Sequence, residues 1–312
     1  MKKKRKLKIG RLLIVMGILL ALIAVLGLAL YKIIDSADDE YVFDKESLSV
    51  NELDYSEMQL LDLDLHSASY MLIRLNDFKV LYGKNINNRF YPASLTKIVT
   101  MDAVLHNVKD LDATASYSDD DYAQLIAANA SVAGLRVDTE YPIRDLLYAL
   151  VLPSGADAGR ALENYFSRQG QDLIENMNGL VRELGLESSH FTNTAGLHDS
   201  DLYTCLDDYA RIVIDTLLNG QGKAVLKTFR YELEDGTLLK STLESLDGSA
   251  AVKIYGGKTG FTGEAGENIM VLYSHEGRSY LLILANAPGN PYAGQLYHFE
   301  DVSNILEYLY NN

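Results

Sequence analysis

The chain has 312 residues, 48% hydrophobic and 23% charged, a balance that supports a folded core and sets disorder aside. Its formal charge is −15, and seven of its 28 basic residues fall within residues 1–11, leaving 21 basic against 43 acidic side chains in the remainder. A body that acidic repels phosphate instead of releasing its counterions, which argues against nucleic acid as a partner, and the single cysteine, Cys205, excludes a disulfide framework or a cysteine-rich zinc site.

Residues 1–11 (MKKKRKLKIGR) form a basic segment, and Leu12 to Leu30 carry no charge. That length spans a bilayer as a helix, and the positive flank places the N-terminus in the cytoplasm. Residues 12–31 therefore read as a single-pass transmembrane signal anchor in the cell membrane, with everything after it on the extracytoplasmic side. A cleaved signal peptide fits less well, because Ala29-Leu30-Tyr31 offers no small-residue cleavage site. Residues 32–60 are acidic and irregular, a linker; residues 61–312 form the folded domain.

Within that domain, Ser69–Leu75 and Phe78–Tyr82 read as a hairpin turning at Asn76-Asp77. Ser94 to about Val108 reads as a helix with Leu95, Ile98, Val99 and Ala103 apolar. Thr139-Glu-Tyr-Pro142 signals a helix start before Ile143–Val151. Pro153-Ser-Gly155 breaks that run, and Asp157–Phe166 resumes it. Gln171–Leu184 is amphipathic and stops at Gly185, a C-cap. Thr204 with Asp207 opens a helix to Leu218. Glu267–Tyr273 and Ser279–Ala285 form a second hairpin around His275-Glu-Gly277, and His298–Tyr310 is a closing helix. Strands at both ends with helices between predict an α+β domain, an antiparallel sheet flanked by helices.

Three short motifs carry chemistry. Ser94-Leu-Thr-Lys97 places a serine and a lysine on one helix face. Ser154-Gly-Ala156 lies in a turn between helices. Lys258-Thr-Gly260 sits in a glycine-rich approach to a strand. A lysine removed from water near a second cation loses preference for its charged form and can take the serine proton. Lys258 is the expected second cation, and Gly256, Gly257 and Gly260 are expected to leave the strand edge open to an extended substrate. Singly, each residue has a duller reading: Ser94 a helix cap, Lys97 a snorkelling side chain, Ser154 turn chemistry, Lys258 a solvated charge. The three motifs together, in this order, outweigh them.

With these motifs the chain resembles the serine D-alanyl-D-alanine carboxypeptidases, the low-molecular-mass penicillin-binding proteins. The likeness covers roughly residues 60–310. It includes Tyr82-Gly-Lys-Asn85, Pro92–Lys97, Asp145–Gly155, Leu184–Leu197 and Lys258–Thr262 with Ala265-Gly266. The resemblance implies a β-lactamase/transpeptidase-like fold with a helical subdomain. It implies that Ser94 forms an acyl-enzyme while removing the terminal D-alanine of a peptidoglycan stem peptide. Lys97 would be the base and Ser154 a proton relay. Lys258, Thr259 and Gly260 would bind substrate, and the N–H groups of Ser94 and Phe261 would stabilise the oxyanion. β-Lactams would be inhibitors; no cofactor and no metal is expected.

Two departures stand out. Ala156 occupies the place where the family usually has asparagine, and no arginine lies near the third motif, Arg278 falling in a hairpin turn. The family also often carries a further β-rich domain and a C-terminal amphipathic anchor, which the N-terminal helix is expected to replace. Alternatives are a class A-like β-lactamase, for which Glu187 lacks the expected surroundings, and a catalytically impaired penicillin- or peptidoglycan-binding protein, suggested by Ala156. A zinc peptidase is disfavoured, since Leu197 stands where its acid would be and the six histidines show no paired ligand spacing.

Overall fold

The computed structural model describes residues 53–246 and 251–310. The expected basic segment, the anchor and most of the acidic linker lie outside them. Among the described residues no helix is long and apolar enough to cross a membrane. Residues 54–59, assigned to the linker from sequence, already belong to the fold: Asp54 and Gln59 make parallel bridges to Lys79 and Tyr82.

The first hairpin forms as expected, β1 (Ser69–Arg74) pairing antiparallel with β2 (Lys79–Lys84). A 3-10 turn, Ala93–Leu95, leads into α1 (Thr96–Asn107). Two short strands, β3 (Thr114–Ala115) and β4 (Tyr141–Pro142), pair with each other, with α2 (Asp119–Ala127) between them in the chain. Next come α3 (Ile143–Val151), α4 (Ala156–Arg168), α5 (Leu173–Glu183), α6 (Leu206–Leu218) and α7 (Gly220–Leu226). A small ribbon, β5 (Arg230–Glu232) with β6 (Leu238–Lys240), follows. Three long strands, β7 (Lys253–Thr262), β8 (Gly266–His275) and β9 (Arg278–Ala287), precede α8 (Tyr297–Tyr310).

Five strands join in the order β2-β1-β9-β8-β7, antiparallel throughout. Successive side chains point to opposite faces. Met71, Ile73, Met270, Leu272, Leu281 and Ile283 pack on the helical layer, whereas Tyr70, Leu72, Val271 and Leu282 pack with Val302 and Ile305 of α8. Burial on both faces explains why these strands read as continuous apolar runs. β7, at the sheet edge, lies against the 3-10 turn that carries Ser94.

Every residue of α1 from Thr96 to Val104 is buried, because α3, α5 and α6 all pack on it. A helix enclosed on all sides has no polar face to offer, so a lysine three residues past the serine must go inward.

Helix α2 was not foreseen. Its start is a capping box: Ser118 Oγ accepts the Asp121 N–H and the Asp121 carboxylate accepts the Ser118 N–H. The N-cap of α6 is Cys205 instead of Thr204; its Sγ accepts the Asp208 N–H at 3.4 Å. Thr204 Oγ1 bonds Ser189 Oγ at 2.7 Å instead. Cys205 is buried, and that burial pushes its thiol up to about 11.

Candidate active site

Ser94 stands in the 3-10 turn before α1, preceded by Ala93 at φ +49°. The second motif also bends through the left-handed region, with Ser154 at φ +65°. Non-glycine residues held there store strain that the surroundings must over-determine. Lys97 Nζ lies 3.0 Å from Ser94 Oγ and donates to the Ala195 carbonyl at 2.6 Å. Its side chain is 2% exposed. Burial lowers the Lys97 amine to about 7, against the opposing pull of the Asp157 carboxylate.

Desolvation is the leading cause, as expected for a lysine removed from water. Lys258 is fully buried; burial first, then its mutual repulsion with Lys97, hold its amine well below the usual lysine range. Lys258 Nζ donates to the Thr259 carbonyl at 2.8 Å.

Backbone contact assembles the pieces. Gly196, at φ +76°, has its Cα against Ala93; a Cβ there would sit 1.8 Å from the Ala93 carbonyl oxygen. Asn193 folds this loop, its Oδ1 accepting the N–H groups of Ala195, Gly196 and Leu197 at 3.2, 2.7 and 3.0 Å. The Ala195 carbonyl is thereby aimed at Lys97. On the opposite side, Asn268 Nδ2 donates to the Tyr91 carbonyl at 3.0 Å. A Cβ on Gly260 would lie 2.8 Å from the Pro92 oxygen and 3.0 Å from Ser94 N. The third-motif glycines thus admit close packing of protein on protein, while β7 pairs with β8 alone among the described strands and stays at the sheet edge. Gly256 and Gly257 abut the backbone oxygens of Leu226 and Met270 in the same way. Gly260→Ala is expected to push β7 from the nucleophile turn and slow acylation of Ser94 about 100-fold; stopped-flow acylation on a variant with unchanged circular dichroism checks this.

A cleft of about 420 Å³ opens over the pair. Ser94, Lys97 and Phe261 line it, with Ala156, Asn129 and Tyr292 among the other walls. Ser154, Lys258, Thr259 and Gly260 do not line it. Ser154 Oγ is buried and has no hydrogen-bond partner. Ala156 joins a small apolar wall with Leu125, Ala130 and Ala195. Arg278 is the first residue of β9, paired with His275, toward the opposite end of β8 from the residues that pair with the third motif. Glu187 is exposed and outside the cleft lining, so it is not placed to act as the deacylating glutamate of a β-lactamase. His190 Nδ1 bonds the Asp201 carbonyl at 2.6 Å, a loop contact. Sequence reasoning gave no role to Asn193, Ala195, Gly196, Asn129 or Tyr292; only the turn-forming Asn193-x-x-Gly196 spacing signalled any of them.

A serine in a strained turn, a buried amine of lowered pKa beside it and a cleft above both define the equipment of a serine hydrolase with an amine base. Residues 56–288 match the peptidase S11 family, described as D-alanyl-D-alanine carboxypeptidase, and the chain belongs to that family. It is 29% identical over 212 residues to the D-alanyl-D-alanine carboxypeptidase DacF of Bacillus subtilis, covering 65% of this chain and 53% of DacF. It is 24% identical over 253 residues to a D-alanyl-D-alanine endopeptidase of Pseudomonas aeruginosa, covering 80% of this chain and 79% of that one. The chain spans about half the length of most curated relatives it matches. The crystal structure of the Streptomyces K15 DD-transpeptidase superposes with a TM-score of 0.70 at 25% identity, covering 80% of this chain and 98% of that one. The α+β sheet-and-helix fold expected from the sequence is the fold observed.

Proposed function

We propose that the chain is a serine D-alanyl-D-alanine carboxypeptidase acting on peptidoglycan stem peptides. The observation that carries this reading is the 3.0 Å approach of Lys97 Nζ to Ser94 Oγ in a buried setting. Neutral Lys97 takes the Ser94 proton as Oγ adds to the carbonyl carbon between the two terminal D-alanines. The N–H groups of Ser94 and Phe261 stabilise the oxyanion. The C–N bond then breaks, and Ser154, whose hydroxyl is otherwise unpartnered, passes a proton to the leaving amine. Lys258, fully buried, and Thr259, neither of them lining the cleft in this structure, are the candidates the family resemblance supplies for the terminal carboxylate, with Gly260 keeping their strand close to the nucleophile turn. Water releases the acyl group from Ser94. A β-lactam follows the first half of this path and stays attached. Incubation with a diacetyl-Lys-D-Ala-D-Ala tripeptide is expected to release one D-alanine per peptide; a folded protein that releases none overturns the reading.

Ala156 favours a second reading, a slow enzyme that mainly binds penicillin or peptidoglycan, because an apolar wall stands where an amide would orient substrate. Ala156→Asn is expected to raise the penicillin acylation rate about tenfold, the worth of one well-placed transition-state hydrogen bond. Stopped-flow acylation of both forms checks this, and an unchanged rate removes the amide from the account. The proposed setting is extracytoplasmic. Residues 12–31 anchor the chain in the cell membrane with residues 1–11 inside, and the domain is held outside by the acidic linker.

A further inference from the structure

On the flank of α1 away from the cleft, Asp102 and His106 stand four residues apart, on one helix face. Asp215 reaches them from α6. One ligand atom from each of the three lies within 4.8 Å of the others. His106 Nε2 is 2.6 Å from Asp215 Oδ2 and 3.9 Å from Asp102 Oδ1. Asp102 is fully buried, and neither carboxylate oxygen has a hydrogen-bond partner. A buried carboxylate is ordinarily paired, hydrogen-bonded or bound to metal. Among the described residues its polar neighbours are the His106 imidazole, the Asp215 carboxylate and the Thr216 hydroxyl, and that hydroxyl already donates to the Ile212 carbonyl at 2.9 Å.

We propose that Asp102, His106 and Asp215 form a binding site for a first-row divalent cation of the zinc class. One imidazole and two carboxylates suit such a metal, whereas magnesium and calcium prefer all-oxygen sites. Tetrahedral ligands at zinc distances stand about 3.4 Å apart. The 2.6 Å contact therefore opens and the 3.9 Å contact closes by under an ångström each, within reach of side-chain rotation. His106 is 39% exposed and Asp215 17%, so the ion enters from solvent and a water completes its shell. The bound ion joins the nucleophile helix to α6, which already holds the nucleophile turn where Tyr209 OH donates to the Leu95 carbonyl at 3.1 Å. The site is structural and independent of the hydrolytic reading. Histidine spacing alone missed it, because the partners of His106 are aspartates.

The full chain, stripped with a chelator and dialysed, is titrated with Zn²⁺ by calorimetry and with Co²⁺ by visible absorption. The expected result is one equivalent bound, a tetrahedral Co²⁺ spectrum and a rise of several degrees in Tm with Zn²⁺. His106→Ala, at a half-exposed position, and Asp102→Asn are each expected to weaken Zn²⁺ about 100-fold or more while penicillin labelling of Ser94 persists as proof of folding. No Zn²⁺ uptake by the wild type, or uptake that survives both substitutions, overturns the site. Loss of penicillin labelling in the wild type would overturn the hydrolase reading and leave this one standing.

Discussion

Ser94→Ala leaves the chain without a penicillin adduct and lowers D-alanine release by about 10⁴-fold or more, the scale of removing a nucleophile that works with its base as a unit. Wild type is expected to gain one adduct per chain, read by intact mass. The fold should survive, because among the described residues the one side-chain bond of Ser94 Oγ is to Lys97, which keeps the Ala195 carbonyl as acceptor. Unchanged circular dichroism with no adduct is the expected pair of results. Labelling that persists in the variant places the nucleophile elsewhere and takes the proposed chemistry with it.

Lys97→Met abolishes turnover and stabilises the domain at the same time. Methionine fills a similar volume without a buried ammonium, so the base is lost, with a fall of about 10³-fold or more, while Tm rises. The base works only when neutral. In the wild type kcat/KM is therefore expected to climb with pH through about 7, where the Lys97 amine loses its proton. Stability moves in the same direction for a related reason. The folded amine sits at about 7 against an ordinary 10.5, so between those values the unfolded chain binds a proton that the folded chain lacks. Stability then rises with pH across that window, and the burial cost is fully present below it. Lys258, also held low, contributes with the same sign, so the substitution lessens the slope without removing it. Thermal melts at pH 6, 8 and 9.5 check both parts; a variant less stable than wild type at pH 6 would show that packing by the lysine stem outweighs its charge.

The long elements were legible because their burial is simple. The β8–β9 hairpin, buried on both faces, announces itself as two apolar runs around Glu276-Gly277, both at positive φ as a tight hairpin turn requires. Helix α3 runs over the residues expected from Pro142 onward. Short elements were not legible. The β3–β4 pair has two residues a strand, too few for any periodicity, and α2 hides its capping box in an acidic run that resembles a loop. At the site, the serine and lysine were readable because helical spacing alone brings them together. The Ala195 carbonyl was not: a backbone oxygen has no residue type, and its aim depends on Asn193 folding a distant loop. The glycines of the third motif carry a second service the sequence does not show, since the backbone pressing on Gly260 is that of Pro92 and Ser94.

The lone thiol of Cys205 has a practical consequence. Protonated at neutral pH and out of solvent's reach, it stays silent toward maleimide dyes. A cysteine introduced on the cleft rim in place of Tyr292, which is 83% exposed, can take a single fluorophore on an otherwise native background, and its emission would follow ligand arrival in real time.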